Sequence, residues 1–157
     1  MRLTKITTKS GDTGKTLLGC NLVSKGHPAV DLLGDLDELN VLLGNIKGLQ
    51  KVQDNIFSLS AAVYKELDWE FAEAETELLD ELIEDINSTL PTLQEFIRPS
   101  GDIHMARVVC RRCERKAWQL APDLKYPKYL NRLSDYLFVL ARMKSVNETL
   151  WDRKSET

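Results

Sequence analysis

A short segment near the start of the chain, TKSGDTGKT at positions 8–16, is rich in the groups that bind phosphate. Backbone N–H groups, hydroxyls and lysine ammonium groups together can surround phosphate oxygens. The segment is not a Walker A motif, because that motif needs a glycine at position 9, where Lys9 stands, and a preceding strand. From these residues alone, a solvated loop and a phosphate-binding loop are equally good interpretations.

A cluster of arginines forms the second candidate site. Arg107, Arg111 and Glu114 recur at helical spacing on one face, with Arg112 and Arg115 beside them. Like charges this close destabilise a helix unless carboxylates or a bound anion neutralise them, and the planar guanidinium matches pairs of phosphate oxygens. The cluster is interpreted either as a phosphate site or as a solvated basic face with Glu114 as its local counterion.

Two polar stripes at helical spacing adjoin apolar residues. The first stripe consists of Gly34, Asp37, Asn40 or Val41, and Gly44. The second stripe consists of Asn131, Ser134 and Asp135. The small residues of the first stripe permit close helix approach, and its neighbours Asp35 and Glu38 are expected to be solvated. Each stripe is interpreted as part of a ligand site or interface, or as the source of helix–helix hydrogen bonds.

The remaining chemically capable side chains favour structural roles. Cys110 and Cys113 are spaced like half a zinc site but have no second pair, so we expect them in the core. His27 and His104 lack the companions of a metal site or a catalytic triad. Phe96 is either a core residue or a ring that faces a ligand pocket, and the general burial of aromatic rings favours the core.

Apolar periodicity predicts the elements that carry these groups. We predict an all-α five-helix bundle over residues 28–152, preceded by an ordered N-terminal loop over residues 1–27, with no strand. The inward positions expected in the five helices, in chain order, are Val30, Leu33, Leu36, Val41 and Leu43; Val52, Ile56, Leu59, Val63 and Leu67; Leu78, Leu79, Leu82, Ile83 and Ile86; Ile103, Ala106, Val109, Cys110, Cys113 and Ala117; and Leu130, Leu133, Leu137, Leu140 and Ala141. The fifth helix is expected to begin near Tyr129, after a turn that contains Pro127.

Composition limits the class of protein. The 157 residues fit a single domain over 1–157, and the 43% hydrophobic and 29% charged content without a long apolar run excludes a disordered chain and a membrane protein. The net charge of −3 argues against a nucleic-acid partner. The N-terminus lacks the apolar region of a signal peptide, so a cytoplasmic location is expected, although a removed organellar peptide would leave no trace.

Five blocks of sequence, taken in order, resemble one family. They are TKSGDTGKT at 8–16, VSK at 23–25, GDLDELN at 34–40, ARVVCRRCER at 106–115 and YLNRLSDYLFVLAR at 129–142. This pattern resembles the PduO-type ATP:cob(I)alamin adenosyltransferases. The resemblance implies a five-helix homotrimer with active sites at the subunit interfaces. It also implies transfer of the 5′-deoxyadenosyl group of ATP to the cobalt of cob(I)alamin, with release of triphosphate and no protein nucleophile.

The resemblance also implies roles for individual residues. ATP would be bound by Thr8, Lys9, Ser10, Gly11, Thr16, Lys25, Arg111, Glu114 and Asn131. Glu114 would lie near Mg²⁺, and Phe96 would meet the corrin ring of cobalamin. Arg107 would pair with Asp37 of an adjacent subunit, so that Arg107, Arg111 and Asp37 form the catalytic set.

The chain departs from the family pattern beside Phe96. The loop between Phe96 and the fourth helix is shorter, and Arg98 replaces an aliphatic residue, so the preferred corrinoid is left open. A corrinoid reductase and an adenosylcobalamin-dependent enzyme are the expected partners. The alternatives are an ATP- or corrinoid-binding sensor or cofactor chaperone without turnover, and a structural bundle that binds an acidic protein.

Overall fold

A computed structural model describes residues 6–145 and 148–151 of the chain. A hairpin precedes five helices: β1 (Lys15–Leu18), β2 (Asn21–Ser24), α1 (Pro28–Gly44), α2 (Gln50–Tyr64), α3 (Ala72–Thr89), α4 (Asp102–Leu120) and α5 (Tyr126–Lys144). The predicted five-helix architecture is therefore confirmed. Among the described residues, none of these helices combines the length and apolar character needed to cross a membrane.

The expectation of a strand-free N-terminus is wrong. Strands β1 and β2 pair antiparallel, with Lys15 opposite Ser24 and Leu18 opposite Asn21. Gly19 takes a positive φ of 56° in the two-residue connection, the backbone conformation that tight hairpins need and that glycine adopts without strain. Each strand has only four residues and Leu18 is the one that is buried, so the sequence carries almost no alternating pattern.

The helices pack in the order α2, α1, α4, α5 and α3. Helix α5 therefore packs against both α3 and α4. Its predicted inward residues Leu130, Leu133 and Leu137 are fully buried. Cys110 and Cys113 are buried between these helices, and the thiol of Cys110 donates to the carbonyl oxygen of Leu130 at 3.2 Å. Their predicted core role is confirmed.

Several predicted core positions are exposed instead. Val41 is 69% exposed, because neither α2 nor α4 covers its side of α1, and Leu67 lies beyond the end of α2. Leu78 and Leu82 remain partly exposed since α3 packs mainly on α5 and buries only a narrow face, formed by Ala72, Thr76 and Leu79. The apolar face that the sequence of α3 presents is thus wider than the face that packs on α5.

The ends of the helices differ slightly from the predictions. Helix α5 begins at Tyr126 and has Pro127 in its first turn, where a missing backbone N–H leaves no hydrogen bond unmade. The side chain of His27 caps α1, its Nδ1 accepting from the backbone N–H of Ala29 at 3.1 Å. The hydroxyl of Tyr64 donates to the carbonyl oxygen of Gly19 at 3.3 Å, which ties the hairpin turn to α2.

Residues 148–151, which follow α5, return to the loop between α3 and α4. Residues 148–151 lie antiparallel to residues 96–98, with a bridge between Ile97 and Leu150. The predicted bundle limit at residue 152 lies outside the described residues, and the last helix ends at Lys144. Two segments of irregular structure are thereby joined beside the N-terminus of α4.

Candidate active site

Carboxylates on α1 neutralise one side of the cationic cluster on α4. Arg112 Nε lies 3.0 Å from Asp35 Oδ2, and its guanidinium also contacts Glu38. Lys116 Nζ lies 2.7 Å from the same Asp35 oxygen and 2.6 Å from Asp31 Oδ2. The hydrogen bond to Asp35 raises the pKa of Arg112 above its ordinary value. These pairs hold α1 against α4.

The expectation that Asp35 is solvated is therefore wrong. Its side chain is only 14% exposed, since it lies between Arg112 and Lys116, whereas Glu38 remains 51% exposed. Among the described residues, Arg107, Arg111 and Arg115 have no carboxylate within ion-pair distance. The cluster is thus divided into a paired side and an unpaired side.

The unpaired side carries uncompensated positive charge. Arg111 is exposed, and Arg107 is half-buried. The pKa of Arg107 is lowered, first by burial and second by the charge of Arg111. Arg115 folds back along its own helix, donating from Nη1 to the carbonyl oxygen of Arg111 at 3.1 Å. An anion placed beside Arg107 and Arg111 would relieve this repulsion.

His104 and Phe138 orient Arg107. Arg107 Nε donates to His104 Nδ1 at 3.2 Å, and its guanidinium carbon lies 5.8 Å from the centre of the Phe138 ring. The His104 ring meets Phe138 edge-on, with centroids 6.2 Å apart. Because Nδ1 accepts a hydrogen bond, His104 is neutral and carries its proton on Nε2. The sequence reasoning missed this role, although the three-residue spacing of His104 and Arg107 indicated a shared face.

Glu114 is not the counterion of the arginines. It is half-buried and accepts a hydrogen bond from the indole nitrogen of Trp118 at 3.0 Å. Within the part of the chain that the structure describes, it forms no ion pair, and no group of three or more His, Cys, Asp or Glu side chains surrounds a metal position. A solvated basic face with Glu114 as its local counterion is therefore not what the geometry supports.

The N-terminal segment folds into two tight turns. The backbone N–H of Asp12 donates to the carbonyl oxygen of Lys9, and that of Gly14 donates to the carbonyl oxygen of Gly11, each at 3.2 Å. The Lys25 ammonium lies only 2.8 Å from the position that a Cβ on residue 11 would occupy. Any side chain at Gly11 would displace that ammonium, so the glycine permits the lysine to lie over the turn.

Hydroxyls and a cation in this segment remain available to a ligand. The Thr8 and Ser10 hydroxyls lie 2.8 Å apart and are both exposed, and Lys9 is exposed with a positive φ of 61°. Thr16 is half-buried on β1 and faces Val23 across the hairpin. Within the described residues of the chain, this hairpin makes no extensive packing contact with α4. The two phosphate-binding candidates thus lie in separate parts of the chain.

The residues of the first polar stripe, on α1, also differ in their surroundings. Asp37 is exposed, has no ion-pair partner in the described part of the chain and lies beside exposed Val41, and a Cβ at Gly34 would meet no atom within 4 Å. Asn40 instead faces inward and is 5% exposed. This open face of α1, formed by Gly34, Asp37 and Val41, is suited to contact with another chain.

Within the polar stripe of α5, the Asn131 side chain is the one that makes no hydrogen bond to another described residue. The Ser134 hydroxyl donates to the carbonyl oxygen of Asn131 at 2.8 Å, and Asp135 pairs with Arg132 at 3.1 Å. Ser134 and Asp135 therefore have structural partners. The exposed amide of Asn131 is the member of this stripe that remains open to a ligand.

Phe96 is not a core residue. It is 76% exposed, and its ring centroid lies 6.4 Å from that of Trp151. The adjoining pocket has a volume of about 170 Å³ and is lined by residues that include Ile97, Arg98 and His104. Phe96 itself does not line this pocket, but its neighbour Ile97 does, and the exposed Phe96 ring is compatible with the second interpretation, a ring that faces a ligand.

We predict a measurable titration of His104. Burial and, secondly, the charge of Arg107 lower its pKa below the ordinary 6.5, against an opposing effect of Glu148. A lowered pKa in the folded state favours neutral imidazole, so this contribution to stability is complete above pH 6.5 and is lost as the pH falls through the folded-state pKa. Proton NMR resolves it, since the chain has two histidines and His104→Gln identifies the signal.

In the same titration, Arg107→Gln is expected to shift the His104 pKa upward, because the repelling charge is removed. A His104 pKa at or above 6.5 in the native protein would contradict this geometry.

Comparisons with known proteins agree on one family. The family model described as "Cobalamin adenosyltransferase" matches residues 6–144. A cobalamin adenosyltransferase of Cupriavidus metallidurans is 34% identical, covering 99% of this chain and 98% of the relative. A corrinoid adenosyltransferase of Mycobacterium leprae is 32% identical, covering 96% and 97%.

A solved structure shares the fold. A variant PduO-type ATP:corrinoid adenosyltransferase from Lactobacillus reuteri, complexed with cobalamin and ATP, superposes with a TM-score of 0.85 at 28% identity, covering 95% of this chain and 97% of that one. The match of sequence and of fold extends over nearly the whole chain, and the range of the family model spans the hairpin, α4 and α5. The chain belongs to the cobalamin adenosyltransferase family.

Proposed function

We propose that this chain transfers the 5′-deoxyadenosyl group of ATP to the cobalt of cob(I)alamin. The observation that carries the proposal is the unpaired side of the α4 cluster, where, within the described residues, Arg107 and Arg111 have no carboxylate partner while Arg112 has two. In an adenosyltransferase, a triphosphate is the anion that such a face requires. The reaction is inferred from family membership, and the free arginines of α4 indicate which face would bind the triphosphate.

The reaction needs no nucleophile from the protein. The cobalt of cob(I)alamin attacks the 5′ carbon of ATP and forms the cobalt–carbon bond, the bond from that carbon to the triphosphate oxygen breaks, and the electron pair leaves with triphosphate. The protein then has to orient two substrates and stabilise the charge that gathers on the leaving group. Buried, protonated Cys110 and Cys113 are unsuited to act as nucleophiles, and burial raises the pKa of Cys113 to about 12.

The ATP side would combine the N-terminal turns with α4 and α5. Backbone N–H groups and the side chains of Thr8, Lys9, Ser10, Thr16 and Lys25 would surround the triphosphate beside Gly11. Arg111 would donate in pairs to phosphate oxygens. Asn131, whose amide is free, would contact the nucleotide from α5.

Mg²⁺ fits this site through Glu114. Magnesium is commonly held by one or two carboxylates together with substrate phosphates and water. Glu114 is a half-buried carboxylate without a cation partner in the described residues, next to Arg111 along α4. When bound, the ion would neutralise charge on the triphosphate, while Glu114 would hold it on the α4 side.

The corrin side would be formed around Phe96. An exposed ring beside the 170 Å³ pocket gives an apolar surface that excludes water from one face of the corrin. Displacement of the lower axial base of cob(II)alamin from cobalt eases reduction to the reactive state, and Phe96 would favour this base-off form by occupying that face.

A homotrimer would complete the site. Within the described residues, the hairpin that follows the N-terminal turns makes no extensive contact with α4, and the open face of α1 exposes Asp37 and Val41. Pairing of Asp37 with Arg107 of an adjacent subunit would bring the two parts together. A cytoplasmic location and partnership with a corrinoid reductase and an adenosylcobalamin-dependent enzyme remain predictions.

Turnover is tested by mixing the protein with ATP, Mg²⁺ and chemically reduced cobalamin. The absorbance of cob(I)alamin should convert to that of adenosylcobalamin, with one triphosphate released for each product. Tight binding of both substrates without product would instead identify a sensor or a cofactor chaperone.

We predict that Arg111→Ala lowers the turnover rate about 10²- to 10³-fold, the loss typical of removing one donor that stabilises transition-state charge. Arg111→Lys should be intermediate, because it keeps the charge and loses the paired geometry. Circular dichroism should show an unchanged helical fold, since Arg111 is exposed. Lys128→Ala, an exposed cation on α5, is the control, and equal rates for wild type and Arg111→Ala would overturn the assignment.

We predict that Phe96→Ala reduces the base-off fraction of cob(II)alamin bound with ATP and leaves the KM for ATP within about twofold. Visible spectra of the bound corrinoid measure that fraction. The control is Phe57→Ala, since Phe57 is another exposed phenylalanine, 64% accessible, on α2. An unchanged base-off fraction would exclude contact between Phe96 and the corrin.

We predict that Asp37→Arg and Arg107→Asp each dissociate the assembly, and that the double variant restores it. If the pair is buried between subunits, stranding one charge costs on the order of 3 to 5 kcal/mol. Light scattering at low micromolar concentration measures the assembly. Two single variants that stay trimeric would show that the pair does not hold the subunits together.

A further inference from the structure

Arg142 lies near the end of α5, and its guanidinium is almost fully enclosed. The side chain is 4% exposed. Its Nε donates to Glu148 Oε1 at 2.8 Å, and its Nη2 donates to the carbonyl oxygen of Pro91 at 2.9 Å and to Glu148 Oε2 at 3.4 Å. One buried cation thus joins α5, the start of the α3–α4 loop and the chain end after α5.

Residues 149–151, in turn, hold the backbone around Phe96 through hydrogen bonds. The N–H of Arg98 donates to the carbonyl oxygen of Thr149 at 2.8 Å, and the N–H of Trp151 donates to the carbonyl oxygen of Phe96 at 2.7 Å. These two hydrogen bonds flank the bridge between Ile97 and Leu150. The Trp151 ring also lies near the Phe96 ring, with centroids 6.4 Å apart.

Phe96 has little else to fix its position. Its side chain is 76% exposed, and residues 91–96 contribute no buried side chain. This stretch between α3 and α4 belongs to neither helix. An exposed ring on an irregular segment is positioned by whatever holds its backbone, which here is the pairing with residues 149–151.

We propose that Arg142 and Glu148 are positioning residues that place Phe96 for corrinoid binding. Their ion pair fixes residue 148, and the following three residues fix the Phe96 backbone next to Ile97, which lines the 170 Å³ pocket. Arg142 and Glu148 line the same pocket, but the hydrogen bonds of the Arg142 guanidinium go to Glu148 and Pro91, so the proposed role acts through the Phe96 backbone. The choice of a corrinoid as the ligand rests on the function proposed above.

The variant Glu148→Gln tests this arrangement with little change in side-chain volume. It removes the charge and leaves the enclosed Arg142 cation without its partner, so the melting temperature should fall, whereas circular dichroism well below the transition should show an unchanged helical content. Lys128→Gln is the control, since Lys128 is an exposed cation of α5 that does not line this pocket. Arg142→Gln removes the other partner.

Amide hydrogen exchange gives a readout that does not depend on the reaction. In Glu148→Gln and Arg142→Gln, the amides of Arg98 and Trp151 should exchange at least about tenfold faster than in the wild type, while amides of α5 at Leu133 and Leu137 keep their protection. Unchanged protection of Arg98 and Trp151 in both variants would overturn the positioning role, whether or not the protein is an adenosyltransferase.

Kinetics then test the consequence for the substrate. We expect the KM for cob(I)alamin to rise several-fold and the base-off fraction of cob(II)alamin to fall, with the KM for ATP unchanged, whereas Lys128→Gln should match the wild type. Equal increases in both KM values, or none in either, would contradict a specific effect through Phe96. A wild-type protein that forms no adenosylcobalamin would instead refute the proposed function and leave the exchange result to decide the positioning role.

Discussion

The structure depends most on how the positive charge of α4 is distributed. Four arginines and a lysine lie within ten residues of one helix, an arrangement that would repel if left alone. Asp35 of α1 accepts from both Arg112 and Lys116, so one side of the cluster becomes a tie between two helices. Arg107 and Arg111 receive no such partner within the described residues, and burial and, secondly, the charge of Arg111 lower the pKa of Arg107. The same helix therefore holds the bundle together with one side and keeps the other side ready for an anion.

The same division gives a reason for the proposed assembly. Within the described residues, the hairpin between Lys9 and Lys25 makes no extensive contact with α4, although both lysines and the α4 arginines are suited to phosphate. The exposed face of α1 presents Asp37 among small or apolar neighbours, with Val41 69% exposed. A second copy against this face would cover the apolar surface and bring the two groups of phosphate-binding residues together. Assembly and substrate binding would then rest on the same helix.

The sequence predicts the helices well because each carries a long pattern with helical period, as Leu130, Leu133 and Leu137 do on α5. It fails where the deciding contact is distant in the chain or too short to leave a pattern. Asp35 meets Arg112 across 77 positions, and no local signal separates it from the solvated Asp37. The two four-residue strands of the hairpin bury only Leu18 between them. The pairing of Phe96 with Trp151 comes from the chain end, so the position of that ring was left as two alternatives.

The central claim, that α4 is divided between a structural and a ligand-binding side, is tested by the affinity for inorganic triphosphate. Isothermal titration calorimetry with Mg²⁺ at fixed ionic strength should be run on the wild type, Arg111→Ala and Arg112→Ala, together with thermal melting of each. Since a hydrogen bond to a charged group contributes about 1.5–3 kcal/mol, Arg111→Ala should weaken binding at least about tenfold without lowering the melting temperature. Arg112→Ala should bind triphosphate with nearly wild-type affinity and melt at a lower temperature. The reverse result, in which Arg112→Ala loses affinity and Arg111→Ala loses only stability, would contradict the account.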